Sequence, residues 1–475
     1  MKNPSLDPKR IICIVLGPAL YASSMVFLAS TLTSPGAEAI GLLAWMVFWW
    51  VTRPVHMTVT ALLPLVVNAI FGIVEQDAVT SQYFSDSIIL ILGTFLLTTP
   101  WKLTGFDRRV ALKILSLVGP SITSQILVWM CASVALSTVL PNVAVTALFT
   151  PIAVAMLNAA GYDDMSKCAA AAPILLCVGW GAGLGGAGTP LGGAMNVTAI
   201  SLLQEHLGRE IMYIDYVVRI APYVIIVTLA SVAAIVFMHK NVPDIEGTKD
   251  YFSEQYRALG PISRDEAIAG GMFLIGLVGA FARPLYASIL PALAPAYVLV
   301  GLGILSFFIT RTDGNPMITW KQAQDATMWG MMILFGGGLA LGKIINLSGA
   351  TTAIANIVSS MSFDGGFTTV LMFAVIAIFF SEVTSSTVSA AVVVPILLSF
   401  TSQMGLNPIP YWLALVMAYN GQFLLPISVM SIPISYGVDA STMLKRGTVV
   451  LLVKLICAVG VGYISMLIWP GFGVM

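Results

Sequence analysis

The sequence predicts an all-α polytopic membrane protein, an inverted repeat of about 11 transmembrane helices plus two re-entrant hairpins. Three observations carry this. Of 475 residues 58% are hydrophobic and only 9% charged, whereas a soluble domain carries about 25% charge. Apolar runs near the roughly 20 residues that span a hydrocarbon core recur from Ile11 to Ile468. One arrangement of motifs from the first half returns in the second at a constant offset.

Composition excludes several classes at once. The 22 Lys+Arg balance the 22 Asp+Glu, so neither a polybasic nucleic-acid binder nor an acidic disordered chain fits. The five cysteines, Cys13, Cys131, Cys168, Cys177 and Cys457, sit in apolar runs without a CxxC pair and read as small buried hydrophobes. The three histidines, His56, His206 and His239, lie near predicted helix ends with no second ligand nearby in sequence, which argues against a catalytic metal site. No nucleophile–base set is visible either, so an enzyme is not expected. The first 30 residues have a basic start and an apolar run, and are read as a first membrane helix rather than a signal peptide.

Spans are expected near 11–31, 37–52, 56–74, 87–101, 168–205, 215–238, 265–281, 286–309, 326–345, 409–436 and 447–470. Two further apolar segments, 121–157 and 365–402, are too long for one span and are interrupted by polar residues. Each is either two helices or a re-entrant hairpin. With hairpins and a cytoplasmic N-terminus, 17 of the 22 Lys+Arg fall in inside loops. That bias puts the C-terminus outside. Two full crossings per hairpin would keep the same parity, so charge supports the sidedness more than the re-entrant shape.

An offset of 244 carries Leu103-Thr104-Gly105 onto Leu347-Ser348-Gly349, Gly93 onto Gly337, Ser137 onto Ser381, and Pro151-Ile152 onto Pro395-Ile396. Past the hairpins the offset becomes 236 and carries Pro190 onto Pro426. The first hairpin follows an inside loop holding Lys102, Arg108 and Arg109. The second follows the outside segment 344–366, which has no Lys or Arg. Opposite starting sides make the repeat inverted, and such repeats place a solute at the midplane where broken helices meet. The segments 105–119 and 349–361, each after its Leu-x-Gly, read as interfacial helices or as loops.

Polar breaks interrupt the apolar pattern at matching places. One hairpin tip reads Ser137-Thr138-Val139-Leu140-Pro141-Asn142-Val143, the other Ser381-Glu382-Val383-Thr384-Ser385-Ser386-Thr387. Such side chains are costly in mid-membrane unless paired. Back-bonding to the preceding turn would account for Ser133 or Thr150 alone, but not for two clusters in register. Downstream, the Gly-rich run Gly181–Asn196 and the run Leu425–Pro433 break a helix. A break frees carbonyls for a cation and amides for an anion. Gly181, Gly183 and Gly186 also match GxGxxG, but apolar helical flanks argue against a dinucleotide fold. Glu382 is expected to be a structural pair, with Lys343 as candidate partner, or a proton carrier, or a wet rim.

Together these tips and breaks resemble the divalent anion/sodium symporter family of di- and tricarboxylate carriers, within the ion transporter superfamily. The stretch Glu382–Thr387 through Pro395, with the Gly336-Gly337-Gly338 helix before it, carries the likeness most clearly, and it covers about 40–470. The first tip departs from the family, with Pro141-Asn142-Val143 where a Ser-Asn-Thr is usual. The second has serine for asparagine. The resemblance implies one sodium site at Ser137, Pro141 (carbonyl), Asn142 and Gly192. A second would use Ser381, Thr384 (carbonyl), Ser386 and Ser428. The first set has lost a hydroxyl; the second keeps plausible oxygens for a hard cation. Substrate contacts would come from Asn142, Val143, Gly193, Ser386, Thr387 and Val429. Residues 1–120 and 265–362 would form the scaffold. Residues 121–238 and 363–475 would carry the hairpins and broken helices, with 239–264 as a cytoplasmic linker. The implied function is sodium-coupled transport of a small (di)carboxylate across the inner or plasma membrane, by elevator-type motion in a homodimer. A sodium-independent or proton-coupled exchanger is the alternative.

Overall fold

A computed structural model describes residues 8–28, 32–350 and 365–475. The chain opens with α1 (Pro8–Phe27), α2 (Ser34–Thr52), α3 (Met57–Thr60), α4 (Leu63–Phe71), α5 (Gln76–Thr80) and α6 (Asp86–Thr104). Then come α7 (Phe106–Leu115), the pair α8 (Ile122–Ser137) and α9 (Asn142–Ala159), the pair α10 (Ala171–Gly185) and α11 (Ala194–Leu207), and α12 (Tyr213–Met238). A linker helix α13 (Thr248–Ala258) leads to α14 (Arg264–Phe281), α15 (Arg283–Tyr286), α16 (Pro295–Ser306), α17 (Trp320–Ala326) and α18 (Trp329–Leu347). The chain closes with α19 (Phe367–Val383), α20 (Ser386–Gln403), α21 (Pro408–Tyr419), α22 (Ser431–Ser435) and α23 (Ala440–Ile468). Among the described residues extended pairing is limited to one bridge, Thr310 to Pro316.

Apolar side chains face outward on this bundle. Ile12, Val15, Phe237, Leu274, Ile456 and Ile468 are all exposed, an arrangement a bilayer favours and water does not. Among the described residues seven helices are long and apolar enough to cross a membrane: Pro8–Phe27, Gln76–Thr104, Asn142–Ala159, Tyr213–Met238, Trp329–Leu347, Ser386–Gln403 and Ala440–Ile468. Several expected spans are shorter or interrupted. The 56–74 stretch divides into α3 and α4. In the 286–309 stretch the long helix begins only at Pro295, which sits in its first turn, where a missing N–H costs nothing. The linker 239–264 is itself partly helical. Phe252 of α13 is fully buried against Trp129, and Gln125 donates to Thr248.

The repeat is visible in the elements. The 244 offset carries α9 onto α20, 18 residues each, with an internal proline at Pro151 and Pro395. Gly105 and Gly349, which close the matching helices α6 and α18, share φ 78, a left-handed conformation glycine adopts freely. Gly93 and Gly337 are matched for a packing reason. A β-carbon would lie 2.8 Å from Leu299 at the first and 2.2 Å from the Ala61 carbonyl at the second. The interfacial segment of the first copy is α7. Most of its counterpart at 349–361 lies outside the described residues.

Candidate functional site

Each hairpin is built in the same way. In the first, α8 ends at Ser137, a short turn follows, and α9 starts at Asn142 behind Pro141, whose lack of an N–H suits a helix start. In the second, α19 ends at Val383 and α20 starts at Ser386, capped by the Ser385 hydroxyl accepting from the Val388 N–H. Ser137 Oγ bonds Asn142 Oδ1 at 2.9 Å and the Ala182 carbonyl at 2.8 Å. Its repeat mate Ser381 bonds Ser386 Oγ at 3.0 Å and the Tyr419 carbonyl at 2.6 Å. In both copies one buried serine therefore ties the tip to the helix that breaks beside it. Ser133 and Thr150, by contrast, do not bond back to their own helices; both hydroxyls are buried without a partner.

The two breaks touch. Gly421 has φ 83, and a β-carbon on Gly183 would lie 2.9 Å from Gly421 Cα. Asn196, at the end of the first break, bridges them. Its Nδ2 donates to the Gly186 carbonyl at 2.7 Å, and its Oδ1 accepts from Asn420 Nδ2 at 2.9 Å. Thr189 fastens the first break to the first tip, donating to the Thr138 carbonyl and accepting from the Gly192 N–H. Gln422 fastens the second, donating to the Ser381 carbonyl at 2.8 Å.

Between tips and breaks lies a cavity of about 110 Å³. Asn142, Val143, Gly193, Ser386, Thr387 and Val429 all line it, as do Pro141, Gly192 and Ser428. Ser137, Ser381 and Thr384 do not. They are buried behind the tips, where their bonds hold the tips in shape. Sequence reasoning missed the opposite wall, made by Leu90, Thr94 and Phe95 of α6 and by Met328, Met331 and Phe335 near α18. These residues look like ordinary span residues, and only proximity marks them. The starts of α9, α11 and α20 all reach the cavity, and neither α9 nor α11 has a side-chain cap. Their free amides and positive dipole ends suit an anion. Among the described residues the lining holds no Asp, Glu, Lys or Arg.

One sequence expectation is corrected here. Lys343 does not pair with Glu382; its ammonium lies 2.7 Å from Glu205 Oε1, joining α18 to α11. Glu382, 4% exposed, instead accepts from the Phe423 and Leu424 N–H groups, each at 3.0 Å. A carboxylate one residue past the tip serine is well placed to satisfy amides that an unwound helix leaves orphaned. The GxGxxG glycines lie in and just past α10, where they pack against neighbouring helices: a β-carbon on Gly181 would sit 2.8 Å from the Met130 carbonyl.

Paired hairpins and broken helices close on one cavity that is largely apolar, carries a few hydroxyls and amides and has no charged side chain among the described residues; with the family match, this makes the protein a membrane transporter rather than an enzyme. The chain belongs to the citrate transporter family: the family model described as "CitMHS: Citrate transporter" matches residues 47–418. Its relatives include a Staphylococcus saprophyticus protein named sodium-dependent dicarboxylate transporter SdcS. That protein is 25% identical over 476 residues, covering 96% of this chain and 91% of the relative. A Staphylococcus aureus protein of the same name is 26% identical over 474 residues, with the same coverage. Among solved structures, the Alcanivorax borkumensis YdaH transporter aligns with a TM-score of 0.49 at 11% identity, over 90% of this chain and 99% of that one.

Proposed function

We propose that the protein is a secondary transporter of a small dicarboxylate or similar anion, driven by sodium. The observation that carries this reading is the cavity: helix starts, hydroxyls and amides meet there without a fixed positive side chain on its wall. A dianion held by such a set needs mobile cations nearby, so cation binding preorganises the anion site and couples the two. The names of the relatives, sodium-dependent dicarboxylate transporters, agree with it. Under this reading the two copies are inverted, the N-terminus is cytoplasmic and the C-terminus outside. The hairpins and broken helices slide as one body in each protomer of a homodimer, against the part that contains α6 and α18. The test is uptake into proteoliposomes of labelled C4-dicarboxylates, citrate, sulfate and monocarboxylates, with and without a sodium gradient. Saturable uptake of a dicarboxylate only with sodium supports the reading. Uptake driven equally by preloaded anion without sodium would replace it with exchange.

The Lys343–Glu205 ion pair joins the scaffold helix α18 to α11 of the sliding body, away from the cavity wall. Sliding must break it. Glu205→Gln is expected to raise Vmax up to about fivefold, the worth of one partly exposed pair of roughly 0.2–1 kcal/mol, and to leave KM unchanged. A shifted KM with constant Vmax would place Glu205 in substrate binding instead.

A further inference from the structure

The second break is asymmetric with the first in one respect: its freed carbonyls are already held by a cation. Lys454 of α23 is fully buried. Its ammonium donates to the carbonyls of Asn420 and Gly421 at 3.2 and 3.1 Å and lies 4.9 Å from the Phe423 ring centre. These carbonyls follow the C-terminus of α21, the negative end of a helix dipole. Carbonyls at the end of a half-helix in mid-membrane are where a transporter of this architecture holds a metal cation. Asn420 Oδ1, buried and without a partner, adds another oxygen on the same residue. Glu382 balances the charge from the amide side of the segment. It makes no direct ion pair with Lys454 within 4 Å, so the two charges meet through the backbone between them.

A second observation points the same way. The Thr384 carbonyl, implied as a ligand of the second sodium site, accepts from Arg53 Nη2 at 3.0 Å. The first copy has neither device. Its long helix α12 offers the first break only a neutral phenol, Tyr216 OH to the Ala187 carbonyl at 2.8 Å. Thr138 stands where the second copy has Glu382. The Pro141 carbonyl accepts only the Val145 N–H of its own helix.

We propose that Lys454 replaces one mobile cation. The second half then carries its positive charge covalently, and a metal cation uses only the first set, Ser137, Pro141, Asn142 and Gly192. This rests on the transport reading above for its consequence, but it can be tested without transport. The purified full-length protein is melted in detergent across a series of NaCl concentrations, with KCl holding ionic strength constant. Wild type is expected to gain stability with an apparent sodium order of about one. Lys454→Ala is expected to melt several degrees lower in KCl and to regain part of the loss in NaCl, with an order nearer about two. Lys454→Arg, which keeps a cation at the carbonyls, should show neither change. A Lys454→Ala loss that is equal in NaCl and KCl would overturn the proposal, as would an order of about two in wild type, a result that stands even if the alanine variant fails to fold. Wild-type protein without any sodium response refutes sodium coupling separately; the proposal is then decided by whether sodium rescues Lys454→Ala.

Discussion

Asn142→Ala and Thr387→Ala are each expected to lower Vmax/KM for anion uptake by about 10–100-fold, the worth of one hydrogen bond to a charged group of roughly 1.5–3 kcal/mol. The two residues come from the two tips and face one cavity. Asn142 has a double role. Its amide is held by Ser137 and packs on Gly186, where a β-carbon would lie 2.5 Å from Asn142 Oδ1. Its loss therefore removes a donor and loosens the tip. Thr387 has no such duty, so its variant reads the substrate contact alone. Asn142→Ala should consequently lower the melting temperature as well, and Thr387→Ala should not. Unchanged kinetics in both variants, with normal membrane insertion, would remove the site assignment.

Gly185→Val is expected to destabilise the protein by about 3 kcal/mol, the upper range for overpacking a tight contact. A β-carbon there would lie 2.2 Å from the Val134 carbonyl and 2.7 Å from Val134 Cα. Backbone cannot swing aside as a side-chain end can, so α8 and α10 must separate, and the tip hydrogen-bonded to α10 through Ser137 moves with them. Gly301→Ala is the control. It lies inside α16 with nothing within 4 Å of its β-carbon position, and alanine there should be neutral or stabilising by up to about 1 kcal/mol. Equal melting temperatures for Gly185→Val and wild type would show that the two helices are not in close contact.

The hairpins, the broken helices and nine of the lining residues were legible because hydroxyls, amides, glycines and prolines stand out against apolar runs, and because they recur in register. The contact of Lys454 with the second break was not legible. In sequence Lys454 is one cation inside a 29-residue helix, indistinguishable from a lysine reaching for the membrane surface. The Lys343 partner was misread for a related reason. The sequence pointed only to Glu382, and only the fold places Glu205, 138 positions from Lys343, at 2.7 Å.

Sequence alone was enough for the membrane class and the positions of the unwound segments, because each follows from local hydropathy and from residue types that a helix in lipid does not tolerate. Which charges meet, which wall closes the cavity and which carbonyls are already occupied were decided only in three dimensions. These depend on contacts between residues such as Arg53 and Thr384, 331 positions apart, and no local preference of the chain encodes a distance of that kind.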